Sequence, residues 1–382
     1  MLMRLAGVVA ALVLLPAAPA WAHGADAPDG TDYRTVVTEV TPAMPGLSVR
    51  AVEAGARLEL TNRTGTTVEV LGYQNEPYLE VRPDGVYENV RSPAVYLNAT
   101  LTGSAALPPG TDPTSPPEWR RASTAPVVRW HDHRTHWMES APPPEVAADP
   151  TREHRIRDWV VPLRTGVSTM EARGTLDWVP PPSPGVWWAG TVLAALAVAG
   201  LGLAGRFRSL SARATRPGTA PWDDGSPVVP VGGRAAAVAR AASAGLLVVA
   251  GAAAIGYAVG RELDAGNDAV GAMVRGLFAG QIWAVLTALA AVAAAGYALR
   301  RRAAADFALA MAGACVAIFG GAANAAAFGT GVVPVPWPPT AGRLVLAMVI
   351  AAGAGVAAAA VLRMRATAGR GERKGPLLSP RR

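Results

Sequence analysis

Three of the chain's five histidines fall within six positions, between two tryptophans, in Trp130-His131-Asp132-His133-Arg134-Thr135-His136-Trp137. Imidazole is the commonest protein ligand for copper and zinc, and Cys315 is the single cysteine, so the chemistry open to this stretch is nitrogen-rich metal binding. Side chains of an extended strand alternate between faces, which would point His131 and His133 one way and Asp132 and Arg134 the other. That arrangement can chelate. The competing reading is an aromatic corner whose histidines bond to backbone and water.

His23 enters through the start of the chain. Met1 to Ala22 reads as a signal peptide, with Arg4 as its positive charge, Leu5 to Leu15 as its apolar core and Ala20-Trp21-Ala22 as a small-x-small cleavage site. Cleavage after Ala22 would make His23 the first residue. Its free amine and ring nitrogen can hold one copper ion, with His131 and His133 adding nitrogens and His136 or Asp132 a further ligand or a support for an imidazole. A cut after Ala20 satisfies the same rule and would remove that option.

The elements that must position these groups divide the chain in two. Residues 23–179 carry all five histidines and most of the prolines, whereas residues beyond about 180 run in Ala, Gly, Val and Leu broken by Arg clusters. In the first part, Ala56, Leu58 and Leu60 alternate with Arg57 and Glu59, turn residues Asn62 to Gly65 follow, and Val68 and Val70 flank Glu69, which predicts a β-hairpin. Further strands are expected at Val36 to Val40, Leu47 to Val52, Tyr78 to Val81, Val127 to His131, Arg155 to Val161 and Val167 to Val179. Many short strands without a long amphipathic helix define an extracytoplasmic all-β domain, an Ig-like antiparallel sandwich. Pro-rich stretches at Leu107 to Pro117 and Ala141 to Pro150 bracket the histidine cluster, which puts it beside exposed loops.

Pro180 to Gly185 reads as a stiff linker, and Trp187-Trp188 marks the headgroup level. A membrane domain at 186–363 should hold five helices, at 186–205, 241–260, 276–299, 304–328 and 342–362, each near the ~20 residues that span a bilayer. Arg206 to Arg240, Arg300 to Arg302 and the basic tail 364–382 all fall on one side, which the positive-inside rule makes cytoplasmic, with the β domain outside. The net charge of +7 is therefore spent on orientation, and no nucleic-acid partner is expected. The helix interiors lack histidine, glutamate and lysine, so this half reads as an anchor or assembly surface. Gln281 and Asn324 are placed to hydrogen-bond between helices.

The layout of signal peptide, His23, all-β domain and helical membrane half is similar to fused forms of the bacterial periplasmic copper-resistance proteins. That resemblance implies a copper site at the N-terminal histidine and a later Asp-x-His. Here Asp132-x-Arg134 departs from the pattern and His131-Asp132-His133 offers the same ligand types. Thr61 to Gly65, Tyr78 to Val81, Trp130 to Met138 and Gly174 to Pro180 together resemble a group of uncharacterised exported membrane proteins from high-GC actinobacteria, which implies location and architecture. The leading expectation is a non-enzymatic, membrane-anchored copper-binding or delivery protein with ligands from His23, His131, Asp132, His133 and His136. The alternative is an envelope interaction protein that docks on a partner through Trp130, Trp137, Tyr73 and Tyr78. An oxidative copper enzyme is the third reading. There is no nucleophile elbow, phosphate loop or zinc-helix motif.

Overall fold

The structure, a computed structural model, describes residues 30–203, 231–300, 302 and 304–371. The expected signal peptide, His23 and most of the basic tail lie outside them. Ten antiparallel strands come first: β1 (Tyr33–Thr41), β2 (Leu47–Val52), β3 (Arg57–Asn62), β4 (Val68–Leu71), β5 (Pro77–Arg82), β6 (Gly85–Asn89), β7 (Trp119–Ser123), β8 (Val127–Trp130), β9 (His154–Thr165) and β10 (Ser168–Trp178). They form a seven-stranded sheet in the order β1-β10-β9-β4-β5-β6-β7 and a three-stranded sheet β2-β3-β8. Period-two patterning packs the sheets together. Leu58 and Leu60 of β3 bury fully against Val70, Val81, Val161 and Leu176 of the larger sheet, while Glu59 between them turns to the opposite face.

One sequence expectation fails here. β3 and β4 do not form a hairpin, because β3 pairs with β2 and β8 whereas β4 pairs with β5 and β9. The turn between them is a corner from one sheet to the other. Asn62 holds that corner from inside: its buried amide donates to the carbonyls of Thr66 and Val81, both at 2.7 Å, and its Oδ1 accepts from Thr64. A buried asparagine with every group satisfied replaces the hydrogen bonds a hairpin would have supplied.

Two five-residue helices, α1 (Pro93–Leu97) and α2 (Pro144–Ala148), lie in the loops. The second half is helical: α3 (Pro184–Ala199), α4 (Val231–Asp264), α5 (Val270–Ala279), α6 (Ile282–Leu299), α7 (Ala305–Cys315) and α8 (Pro339–Gly371). Five helical segments are long and apolar enough to cross a membrane, at Pro184–Gly202, Ala235–Asp264, Ile282–Leu299, Ala305–Phe328 and Pro339–Ala366. They pack on small residues. A Cβ on Gly202 would sit 2.6 Å from the Ala359 carbonyl, and one on Gly313 2.6 Å from that of Gly353. Trp187 stacks on Phe328 and Trp188 meets the same ring edge-on.

Two spans differ from simple helices. The third begins at Ile282, after Gly280 has ended α5, whose Val270, Val274 and Phe278 form an exposed apolar stripe at i, i+4 and i+8. In the fourth, α7 passes into a π-helical turn, Val316–Gly321, and a 3-10 segment, Ala322–Phe328. Gly320 and Gly321 let Ala254 and Ile350 press in on the backbone there, and the helix rewinds around them. At the bundle end remote from the sandwich, Asp306 accepts from both Arg240 and Arg363 at 2.8 Å, which ties α4, α7 and α8.

Candidate functional site

The histidine-rich stretch is a buried turn. β8 stops at Trp130, and His133–Thr135 form a 3-10 turn capped by Asp132, whose Oδ1 accepts the Arg134 N–H at 3.1 Å. His131 and His133 therefore do not share a strand face, and the expected alternation is corrected by that cap. Asp132 is fully buried and fully bonded. Its two oxygens accept Arg134 Nε at 2.8 Å and Nη2 at 2.7 Å, and Oδ2 also accepts Trp130 Nε1 at 3.0 Å. Arg134 reaches on to the carbonyls of Leu71 and Gly72 and lies 5.0 Å from the Tyr73 ring centre.

The imidazoles are engaged in the same way. His131 is buried, donates from Nδ1 to the Ala56 carbonyl at 2.7 Å and accepts Arg57 Nε on its Nε2 at 3.2 Å. His136 donates from Nε2 to that same carbonyl at 3.1 Å, so two rings occupy one acceptor. Burial and the neighbouring His131 push the His136 imidazole down to about 4, which keeps it neutral. His133 stacks on Tyr73 at 5.9 Å and donates to the Thr100 carbonyl at 3.3 Å. Thr135 completes the knot by accepting on its carbonyl from Thr35 and donating to the Asp132 carbonyl.

Of the five expected metal ligands, the structure thus brings His131 and His136 to one atom, turns His133 to Thr100 and Asp132 to Arg134, and does not describe His23. Among the described residues no group of three or more His, Cys, Asp or Glu side chains is arranged around a common point. The aromatics expected at a docking surface are also committed elsewhere: Trp130 and Tyr78 are core residues, and Tyr73 and Trp137 pack against that core.

The sequence reading missed a second constellation, where the three-stranded sheet meets the membrane half. Arg50, Glu59 and Arg129 are cross-strand neighbours in one row. Buried Glu59 accepts Arg50 Nε at 2.7 Å and Arg129 Nε at 2.6 Å. Both guanidiniums also donate to the Gly266 carbonyl, at 3.3 and 2.9 Å, and Arg50 reaches Asp268 at 2.9 Å. Gly266, at φ +77°, closes the end of α4. Its N–H bonds to the Leu263 carbonyl and the Asn267 N–H to the Glu262 carbonyl, a Schellman cap. A helix C-terminus is the negative end of its dipole, so two cations are the groups to seat on it.

The β2–β3 turn docks on the same helix end. Glu53 and Ala54 both have left-handed backbones, φ +57° and +54°, and their N–H groups bond to the Asp264 carbonyl at 3.1 Å and to its carboxylate at 2.6 Å. Such conformations are costly away from glycine, and here the helix end holds them. A second attachment lies apart from it. Thr31 and Val332 exchange two backbone hydrogen bonds, and Asp32 accepts the Gly331 N–H at 2.8 Å.

Beside the first attachment, a cavity of about 1140 Å³ separates the sandwich from the membrane half. Glu53, Arg57 and His131 line its β side, and Arg261, Trp283 and Asn324 its helical side. Arg261 donates to Asn324 at 2.7 Å, the interhelical bond expected of that asparagine. Glu53 accepts Arg57 through Oε1 at 3.1 Å, while its buried Oε2 has no hydrogen-bond partner among the described residues. Burial pushes its carboxyl above the usual carboxylate range against the pull of Arg57. The signal for this site was present in outward-facing Arg57 and Glu59 alternating with Leu58 and Leu60, but its membrane half lies some 200 residues on. Comparisons with protein-family models, with curated proteins and with solved structures find no match for the chain.

Proposed function

We propose that the chain is a non-catalytic multi-pass membrane protein that holds its β sandwich on the extracytoplasmic face as an interaction platform for another envelope component. The observation that carries the reading is the seating of Arg50, Glu59 and Arg129 on the capped end of α4, which joins the sandwich to its own membrane bundle. The arginine clusters on the remote side support the orientation. The test is site-specific photo-crosslinking in intact cells from exposed positions, among them Val167 in the β9–β10 turn, at the end of β10 remote from the membrane half. A discrete heavier adduct, absent when the probe sits at buried Leu58, is expected. Adducts at no exposed position would sink the reading.

Copper binding is the second reading, and it rests on the closeness of His131 and His136, whose rings would have to leave the Ala56 carbonyl to offer lone pairs to a metal. It needs His23 as the terminal residue. Copper affinity of the full chain should then fall strongly when one extra residue precedes His23, and an unchanged affinity would exclude that site.

A further inference from the structure

The cavity between the sandwich and the helices is polar on one side and apolar on the other. On the β side stand Arg57 with Glu53, and Arg129, which shares Glu59 with Arg50. On the helical side Trp283 and Phe319 stack at 5.2 Å, line the cavity and are 46% and 40% exposed on the bundle surface, where acyl chains lie. Phe319 belongs to the π-helical turn and Asn324 to the segment after it, so the irregular stretch of the fourth span forms part of this wall. π-helical turns recur at functional sites.

The charge is unbalanced. Of the five arginines that line the cavity, Arg57, Arg120 and Arg129 are paired with Glu53, Glu88 and Glu59, whereas Arg275, exposed on α5, forms no ion pair among the described residues. The α5 stripe of Val270, Val274 and Phe278 is exposed, the pattern of a helix lying in the interface plane, which sets Arg275 at headgroup depth. The volume lies just above the ~300–1,000 Å³ usual for small-molecule sites. An apolar flank, a cationic excess and headgroup depth together define an anionic amphiphile.

We propose that this cavity binds one anionic phospholipid from the adjoining leaflet, with its phosphate against Arg275 and Arg57 and its acyl chains along Trp283 and Phe319. The inference rests on the reading of a sandwich seated on the membrane surface.

The test uses the full chain, purified in detergent with phosphatidylglycerol or phosphatidylcholine and examined by native mass spectrometry. One phosphatidylglycerol should be retained per chain, in preference to phosphatidylcholine, and excess inorganic phosphate should not displace it. Arg275→Gln should lower retention about fivefold, the usual effect of one cation near a lipid surface. Ala279→Trp, which fills the cavity from an exposed position, should abolish it at an unchanged melting temperature. Equal retention of both lipids, displacement by phosphate, or retention by Ala279→Trp would overturn the proposal. Amide protection at Gly266 to Asp268 separates the outcomes: if it persists while the lipid is lost, the site fails and the platform reading stands.

Discussion

The histidine knot and the attachment at α4 are both built from arginine, carboxylate and backbone carbonyl, yet they do different work. In the knot the bonds stay within the sandwich: Asp132, Arg134 and the rings of His131 and His136 bond to one another and to backbone of the same domain. At α4 the same chemistry turns outward, and Arg50 and Arg129 spend their remaining donors on a helix more than 130 residues away. What separates the two regions is where their bonds run, within the sandwich in the knot and out to the membrane half at α4.

That contrast can be broken most forcefully at Asp132. Asp132→Ala leaves Arg134 half-buried beside carbonyls and removes the acceptor of Trp130, and should cost about 3–5 kcal/mol of sandwich stability in denaturant titrations. A loss below about 1 kcal/mol would mean the knot is not structural. Next is His136. Its folded-state value lies below the unfolded 6.5, so the stability it gives is full above pH 6.5 and drains away as pH falls toward 4, by about 2–3 kcal/mol. Denaturant midpoints at pH 7 and 4.5 should show the drop, and His136→Gln should flatten it.

The attachment should respond more gently and elsewhere. Gly266→Ala forces a left-handed residue and sets a Cβ 2.8–2.9 Å from Glu59, Arg129 and Arg50, which should cost about 1–2 kcal/mol. Faster hydrogen exchange at Ala265 to Asp268 should report it while the sandwich core keeps its protection. The smallest effect belongs to Asp268→Ala, which removes an exposed partner of Arg50. It should change stability by at most about 0.5 kcal/mol, and by nothing measurable at high salt.

The two-sheet sandwich and the five apolar spans were legible because period-two alternation and runs of ~20 apolar residues are local signals. Where locality ended, the reading failed. Asn62 reads as a turn residue, but only its buried bonds to Thr66 and Val81 reveal a corner between sheets. Asp132 reads as a ligand beside histidines, and its second role, the cap of a short turn, appears only in the Arg134 N–H bonded to its oxygen. The Arg50–Glu59–Arg129 row could be guessed as an outward charged face. Its partner could not, since nothing near it names Gly266.

The Thr31–Val332 pairing has a mechanical consequence. A body joined to its base at one place can swing about that joint, and a flexible tether would let the sandwich sample a range of heights. Here the chain is clasped at two places, just before β1, where Val179 leaves the sandwich beside Asp32, and at the β2–β3 tip. Clasped at two separate places, the sandwich has no single pivot, so its outer loops stand at a set distance from the bundle. Whatever they touch is measured against the membrane as by a fixed gauge.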